Sequence, residues 1–191
     1  MESERLILAS ASPRRRELLG RMGLTFEVRA SDVDERIEGL PEERVLALSI
    51  RKAEAAARGL EAGLVLAADT LVALDGLSLG KPADARAAKA MLSALSGRSH
   101  EVYTGVCLLD ASSGRRDARV ECTRVWFRPL SEAQIETYVE TGEPMDKAGA
   151  YAIQGGAGAF VERIEGSFEN VMGLPVQTLQ SMLQEFAACG R

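Results

Sequence analysis

Strand-like and helix-like segments alternate along the sequence, and this alternation restricts the chain to the α/β class more firmly than any single motif. Arg5 to Ser10 is typical of a buried strand, and Ser12-Pro13 predicts the start of a helix that reaches about Met22. Serine is a preferred helix cap and proline a preferred first helical residue. The segments that follow are a short strand over 25–28, a helix from Pro41 to about Arg58, an apolar strand over 64–74 and a helix over 85–95.

The second half of the sequence continues the pattern. Two strand-like segments, 101–109 and 119–127, flank a polar turn and predict a hairpin. Ser131 and Gln134 predict a capping box for a helix to about Val139. Residues 151–164 are expected to form a loop and a strand, and an apolar stripe over 176–186 predicts a C-terminal helix. The 191 residues contain no repeat or long linker, so a single domain over 1–191, with at most two lobes, is expected.

Composition excludes several classes of protein. The net charge of −5 disfavours a nucleic-acid-binding protein, which normally presents a basic face to phosphates. No apolar stretch approaches the roughly 20 residues of a membrane span. The acidic start, Met1 to Glu4, lacks the basic region of a signal peptide, so a cytoplasmic protein is expected. Cys107, Cys122, Cys189 and the single His100 have no zinc-site spacing, and three reduced thiols are expected.

Three consecutive arginines, Arg14 to Arg16, follow the predicted helix cap directly. Because the N-terminus of a helix carries partial positive charge, cations are unfavourable there unless an anion binds. Free backbone N–H groups and guanidinium groups would converge at this point, and a phosphate is the natural ligand. The alternative is a solvent-exposed run of charge.

Asp69 lies inside the apolar run over 64–74. A buried carboxylate without a partner is strongly unfavourable, so Asp69 must pair with a cation, bind a metal or carry a proton. The ends of strands in α/β folds are also where ligand sites collect. The alternative is a structural carboxylate that accepts backbone N–H bonds at a turn.

Two lysines also stand out. Lys52 lies on the side of the predicted helix 41–58 that carries Val45 and Leu48, so its ammonium group is directed over apolar surface unless it extends back to solvent. Lys81 lies in a Gly-Lys-Pro turn, where an exposed loop lysine is an equally good explanation. Another face of the helix is predicted to be exposed, since it carries three arginines at heptad spacing: Arg44, Arg51 and Arg58.

Two glycine-rich motifs fail as nucleotide-binding loops. Residues 76–82 have one residue too few for a P-loop and a proline in place of the metal-binding hydroxyl, and residues 155–158 lack the dinucleotide-binding spacing. Nothing supports a Ser-His-Asp mechanism around His100. The remaining candidates are cations and carboxylates: Arg14, Arg15, Lys52 and Lys81 with Asp69, Asp32, Asp34 and Glu35. Without a nucleophile, this set favours hydrolysis of a phosphate ester or anhydride by activated water, with a divalent metal offsetting charge.

Eight segments, taken in order, resemble the Maf (septum-formation inhibitor-like) nucleoside triphosphate pyrophosphatases over nearly the whole chain. They are LILASASPRRRELL (6–19), VDE (33–35), SIRKA (49–53), AADTLV (67–72), LGKP (79–82), LSGRSHEVYTGV (95–106), GEPMDKAGAYAIQG (142–155) and GSFENVMGLP (166–175).

The resemblance implies a twisted mixed sheet with flanking helices, two lobes around a central cleft, and frequent homodimers. It implies cleavage of nucleoside triphosphates to the monophosphate and pyrophosphate, with Mg²⁺ or Mn²⁺ as the divalent metal. Asp69 would be the base that activates water, and Glu35 a metal or water partner. The triphosphate would be held by five further residues: Ser10, Ser12, Arg15, Lys52 and Lys81.

At three positions, the residue types resemble those of the family branch that acts on dTTP and UTP: Arg14, Thr70 and Gln154. The branch acting on 7-methyl-GTP carries Trp, Gln and Glu there. The amide of Gln154 suits the carbonyl–imide edge of a pyrimidine, because it offers one donor and one acceptor group. The alternative function is a non-enzymatic nucleotide-binding regulator of cell division.

Overall fold

A computed structural model describes residues 5–188, and within them seven strands form one mixed sheet. The strands are β1 (Leu6–Leu8), β2 (Phe26–Val28), β3 (Leu64–Leu74), β4 (Leu77–Leu79), β5 (Ser99–Asp110), β6 (Arg116–Phe127) and β7 (Val161–Glu165). The order is β2-β1-β3-β5-β6-β7, and β4 pairs with β3. Strand β1 is parallel to β2 and β3, whereas the β3–β4 and β6–β7 pairs are antiparallel. The expected α/β fold with a mixed sheet is confirmed.

Six α-helices accompany the sheet in the described residues: α1 (Pro13–Arg21), α2 (Pro41–Ala57), α3 (Ala85–Leu95), α4 (Glu132–Glu140), α5 (Phe168–Met172) and α6 (Val176–Ala188). Short 3₁₀ turns cover Glu143–Asp146, Ala148–Ala150 and Gly156–Phe160. The capping box predicted for α4 is confirmed, since the side chain of Ser131 accepts from the amide of Gln134, whose side chain accepts from the amide of Ser131. The short elements β4 and α5 were not predicted.

The chain divides into two compact units. Among the described residues, the first unit contains 5–69, Thr104–Glu121 and 173–188. The second unit contains Thr70–Tyr103 and Cys122–Met172. Each unit is described by itself.

In the first unit, α2 packs on the sheet with small side chains. Ala53 and Ala56 of the helix pack with Ile7, Val65 and Cys107 of three strands. The helix approaches β5 so closely that a Cβ on Gly105 would overlap the backbone of Val45. This approach holds α2 against the strands, and the helix carries Lys52.

In the second unit, an aromatic cluster forms part of the core. The rings of His100, Phe127 and Tyr151 meet edge to face, with centroids 5.0 to 5.3 Å apart. Phe160 extends the cluster to Tyr138, 5.2 Å away. Such contacts are favourable beyond the area that they bury.

The remaining predictions concern membranes and cysteines. Along residues 5–188, no helix combines the length and apolar character needed to cross a bilayer. Cys107 is buried and Cys122 is exposed. Cys189 and the acidic start Met1 to Glu4 lie outside the described residues.

Candidate functional site

The first part of the site lies where β1 ends and α1 begins. Strand β1 is in parallel register with β3, and the amide of Ala9 donates to the carbonyl of Leu66 at 2.8 Å. Ser10 follows at the carboxyl edge of the strand, which is where α/β folds place ligands. Ser12 adopts extended backbone angles and caps α1, its hydroxyl accepting from the amide of Arg15 at 3.5 Å. The predicted strand–cap–helix arrangement is therefore present.

Arg15 turns back toward the end of β1. Its Nη1 donates to the hydroxyl of Ser10 at 3.1 Å, and its Nε donates to the carbonyl of Gly173 at 2.8 Å. Burial lowers the pKa of Arg15 below its ordinary value, while the carboxylates of Asp69 and Glu35 counteract part of that effect. The guanidinium group is therefore within electrostatic reach of both carboxylates. A solvent-exposed run of charge is the wrong description of Arg15.

Lys52 joins the helix to the sheet. Its Nζ lies 2.6 Å from Oδ1 of Asp69 and 2.7 Å from Oε1 of Glu35. The side chains of Lys52 and Asp69 are only 12% and 13% exposed, whereas that of Glu35 is 63% exposed. The ammonium group therefore satisfies a largely buried carboxylate and also binds one at the surface. Extension of Lys52 to solvent, which was the alternative, is wrong.

Asp69 lies in the middle of β3 and not at a turn, since the strand continues to Leu74. Its partner is Lys52, so the alternative of a structural carboxylate in a turn is wrong. A carboxylate and an ammonium group in contact, with both side chains largely buried, interact more strongly than they would in water. The pair can supply a proton acceptor and a phosphate-binding cation at one place.

The residues predicted for the site fall in both units. Ser10, Ser12, Arg14, Arg15, Glu35, Lys52 and Asp69 belong to the first unit. Thr70, Lys81 and Gln154 belong to the second. Thr70 follows Asp69 on β3 and is half-buried, whereas Lys81 and Gln154 are exposed.

One prediction about α2 is wrong at a single position. Arg51 and Arg58 are exposed as expected, but Arg44 is half-buried and its Nε is shielded from solvent. The helix begins at Pro41, so Arg44 lies in its first turn beside the buried Val45. The heptad face is therefore not solvated over its whole length.

The carboxylates of Asp69 and Glu35 are the candidate ligands for a metal ion. Across the described residues, no group of three His, Cys, Asp or Glu side chains is arranged to hold an ion. Asp69 and Glu35 nevertheless share one nitrogen, so their nearest oxygens are separated by no more than the sum of those two distances. Mg²⁺ is commonly bound by one or two carboxylates together with substrate phosphates, and this donor set fits that pattern.

His100 is buried and belongs to the aromatic cluster of the second unit. Its Nε2 is 2.8 Å from the hydroxyl of Tyr151, and burial lowers its pKa to about 4. His100 is therefore a packed residue of this core.

Sequence reasoning missed two contacts beside the predicted residues. The carbonyl of Gly173 holds Arg15, and the carboxylate of Glu143 accepts from the amide of Gly156 at 3.1 Å, two residues after Gln154. Both residues lie within segments that resemble the family, 142–155 and 166–175. For Gly173, this membership was the only available signal, because its contact uses a backbone carbonyl and any residue supplies one. For Glu143, the side chain alone does not indicate which amide it accepts from.

Comparison with known proteins gives a consistent assignment. A family model described as Maf-like protein matches residues 5–186. The chain is 51% identical over 183 residues to a dTTP/UTP pyrophosphatase of Pelotomaculum thermopropionicum, covering 95% of this chain and 96% of that protein. A dTTP/UTP pyrophosphatase of Anaeromyxobacter dehalogenans is 52% identical over 182 residues, covering 94% of this chain and 93% of that one. A third, from Carboxydothermus hydrogenoformans, is 48% identical over 183 residues, covering 95% and 98%.

A solved structure supports the fold independently. A HAM1 protein from Coxiella burnetii superposes with a TM-score of 0.54 over 96% of this chain and 100% of that one. At 17% identity, this likeness concerns the fold alone.

Proposed function

This chain belongs to the Maf family, and on that premise we propose that it hydrolyses dTTP and UTP to the nucleoside monophosphate and pyrophosphate. Modified pyrimidine triphosphates are further candidate substrates, so that the enzyme would remove unwanted nucleotides from the pool. The observation that carries the proposal is the contact of Lys52 with Asp69 at 2.6 Å. Relatives at about half identity bear the name of this activity.

Asp69 is the proposed catalytic base. A water molecule attacks the α-phosphorus, next to the α–β anhydride bridge, and transfers a proton to the Asp69 carboxylate. The bond to the bridging oxygen breaks, pyrophosphate leaves, and the proton then passes to solvent. Lys52 contacts the carboxylate at 2.6 Å and orients it. General base catalysis of this kind contributes about 10²–10⁴-fold in rate.

Five residues are proposed to bind the triphosphate. Lys52 and Arg15 supply charge in a partly buried setting, where an ion pair is worth more than at the surface. Ser10 and Ser12 supply hydroxyl groups at the start of α1, where the helix dipole also favours an anion. Lys81 is the fifth residue proposed to contact the triphosphate.

A divalent cation, Mg²⁺ or Mn²⁺, is proposed as the cofactor. Glu35 would hold it together with phosphate oxygens of the substrate. When bound, the metal would offset the charge that develops on the phosphates.

Arg14, Thr70 and Gln154 are proposed to select the base. Uracil and thymine present the same carbonyl–imide–carbonyl edge and differ by one methyl, which is worth only about 1–3 kcal/mol. Cytosine replaces one carbonyl with an amino group and the ring donor with an acceptor, so it leaves groups of the pocket unpaired. We expect kcat/KM for UTP and dTTP to exceed that for CTP at least about tenfold, with ATP and GTP lower still.

The remaining parts of the proposal concern context. The chain acts as one Maf-like domain over 1–191, in the cytoplasm. It forms a homodimer, and the nucleoside triphosphate is its small-molecule partner. The net charge of −5 is the observation that disfavours nucleic acid as a partner.

The proposal is tested by pyrophosphate release from UTP with Mg²⁺. Asp69→Asn keeps the shape and an oxygen acceptor for Lys52 but removes the base, so kcat should fall about 10²–10⁴-fold. Binding of a non-hydrolysable UTP analogue should persist. Asp75→Asn is the matched control, because Asp75 ends the same apolar segment in an exposed ion pair with Arg98.

The outcomes separate the two candidate functions. Turnover in Asp69→Asn that equals the unmodified protein removes Asp69 from the mechanism. An unmodified protein that binds the UTP analogue but releases no pyrophosphate supports the non-enzymatic regulator.

A further inference from the structure

The peptide segment around Gln154 is fixed from both sides by side chains of the same unit. Two residues before Gln154, the amide of Ala152 donates to the hydroxyl of Tyr138 at 3.1 Å. Two residues after it, the amide of Gly156 donates to the Glu143 carboxylate at 3.1 Å. The amide of Gly155 also closes a turn onto the carbonyl of Ala152 at 3.0 Å.

The carboxylate of Glu143 occupies the space beside Gly155. A Cβ built on Gly155 would overlap it, and its three nearest neighbours would all be atoms of Glu143. A larger residue at 155 would displace this carboxylate, which is the end of a flexible side chain, while the backbone of Gly155 itself lies outside the left-handed region. The next glycine, Gly156, lies against the ring of Tyr138.

We propose that Glu143 is a positioning residue for base selection, because it fixes the backbone on which Gln154 is presented. This inference rests on the proposed function and on the selective role given there to Gln154. Gln154 itself is exposed and begins no regular element, so its backbone has no helix or strand to hold it in place. A hydrogen bond from an amide to a carboxylate is among the stronger ones, and it restricts the peptide at the required point.

Selectivity is the readout that separates positioning from general stability. Glu143→Ala should lower the UTP-to-CTP ratio of kcat/KM about threefold or more, mainly through a higher KM for UTP. Glu143→Gln should retain the ratio, because its amide oxygen can still accept from Gly156. Glu140→Ala, an exposed carboxylate at the end of α4, is the control and should leave the ratio unchanged.

A double-mutant cycle tests the contact itself. Gly155→Ala should expel the carboxylate and reproduce the loss of selectivity seen in Glu143→Ala. In the Glu143→Ala background, Gly155→Ala should add little, because the overlapping atoms are gone. Hydrogen exchange at the amide of Gly156 should accelerate in Glu143→Ala, and this measurement needs no substrate.

The outcomes also distinguish a failure of the proposed base selection from a failure of the role inferred for Glu143. If the unmodified protein does not prefer UTP to CTP, the proposed base selection fails, whatever hydrogen exchange shows. If it prefers UTP and Glu143→Ala keeps the full ratio, or slows UTP and CTP turnover equally, Glu143 has only a structural role and the inference is wrong.

Discussion

At the scale of single residues, Lys52 is a largely buried cation between two carboxylates. It contacts two carboxylates while its side chain is 12% exposed, and α2 and β3 both contribute to that contact. Lys52→Ala should lower kcat/KM for UTP at least about tenfold, because Asp69 and Glu35 lose the cation and the triphosphate loses a ligand. Steady-state kinetics measures this change, and a thermal unfolding curve shows whether the variant is folded.

Lys89→Ala is the suitable control for that prediction. Lys89 binds Glu136 at 2.6 Å, the same distance as Lys52 to Asp69, but both side chains are more than 40% exposed. Surface pairs of this kind contribute little, so kcat/KM should stay within about twofold of the unmodified protein. Equal losses in Lys52→Ala and Lys89→Ala would mean that the burial of Lys52 has no bearing on function.

The same residues illustrate what the sequence can predict. Asp69 and Lys52 were identified because each breaks an apolar pattern, and burial then requires a partner. The bond between Arg15 and the carbonyl of Gly173 spans 158 positions. No pattern in the sequence encodes such a contact, because any residue supplies a carbonyl group and only the tertiary fold selects one.

At the scale of elements, Gly105 on β5 sets how closely α2 approaches the sheet. A Cβ there would overlap the carbonyl of Val45, and Lys52 lies two turns further along the same helix face. Gly105→Ala should therefore displace α2 and separate Lys52 from Asp69. We expect a lower melting temperature together with at least about a tenfold fall in kcat/KM, a larger loss than stability alone explains.

A second glycine provides the comparison for Gly105. Gly20, on the exposed side of α1, has no heavy atom near the position of a Cβ. Because alanine is the better helix former, Gly20→Ala should keep or raise the melting temperature and leave kcat unchanged. A fully active and stable Gly105→Ala variant would show that the packing distance of α2 does not control the site.

The elements also differ in how well the sequence predicts them. Long elements such as α2 and β3 agree closely with the prediction, since 11 to 17 residues are enough for a hydrophobic period to be recognised. The strand β4 has three residues and the helix α5 has five, which is less than two full turns or alternations. The 3₁₀ turns that carry Glu143 and Gly156 were missed for the same reason.

At the scale of the whole molecule, the sequence predicts the candidate residues of the first unit better than those of the second. The first unit contains the strand–cap–helix start and the Lys52–Asp69 pair, whose residue types and spacing indicate their chemistry. The second unit holds Gln154 on a segment fixed by Tyr138 and Glu143, where short turns replace regular elements. Its candidate residues were therefore identified mainly through the family resemblance.

The stability of the folded chain should depend on pH through His100. Burial lowers the pKa of this histidine from 6.5 to about 4, so the proton binds the unfolded chain in preference to the folded one. Above pH 6.5 the residue is neutral in both states and adds no pH dependence. As pH falls from 6.5 toward about 4, the unfolded state takes up the proton, and the free energy of unfolding falls by up to about 3 kcal/mol.

Urea unfolding at neutral pH and at about pH 4.5 measures this change, and His100→Gln isolates it. Glutamine can still bond to the hydroxyl of Tyr151 but does not titrate, so the variant should lose part of the pH dependence while keeping the contributions of the carboxylates. The difference between the two pH profiles is then the contribution of the histidine alone. Parallel profiles would mean that His100 is as easily protonated in the folded chain as in the unfolded one, which its enclosure by Phe127 and Tyr151 opposes.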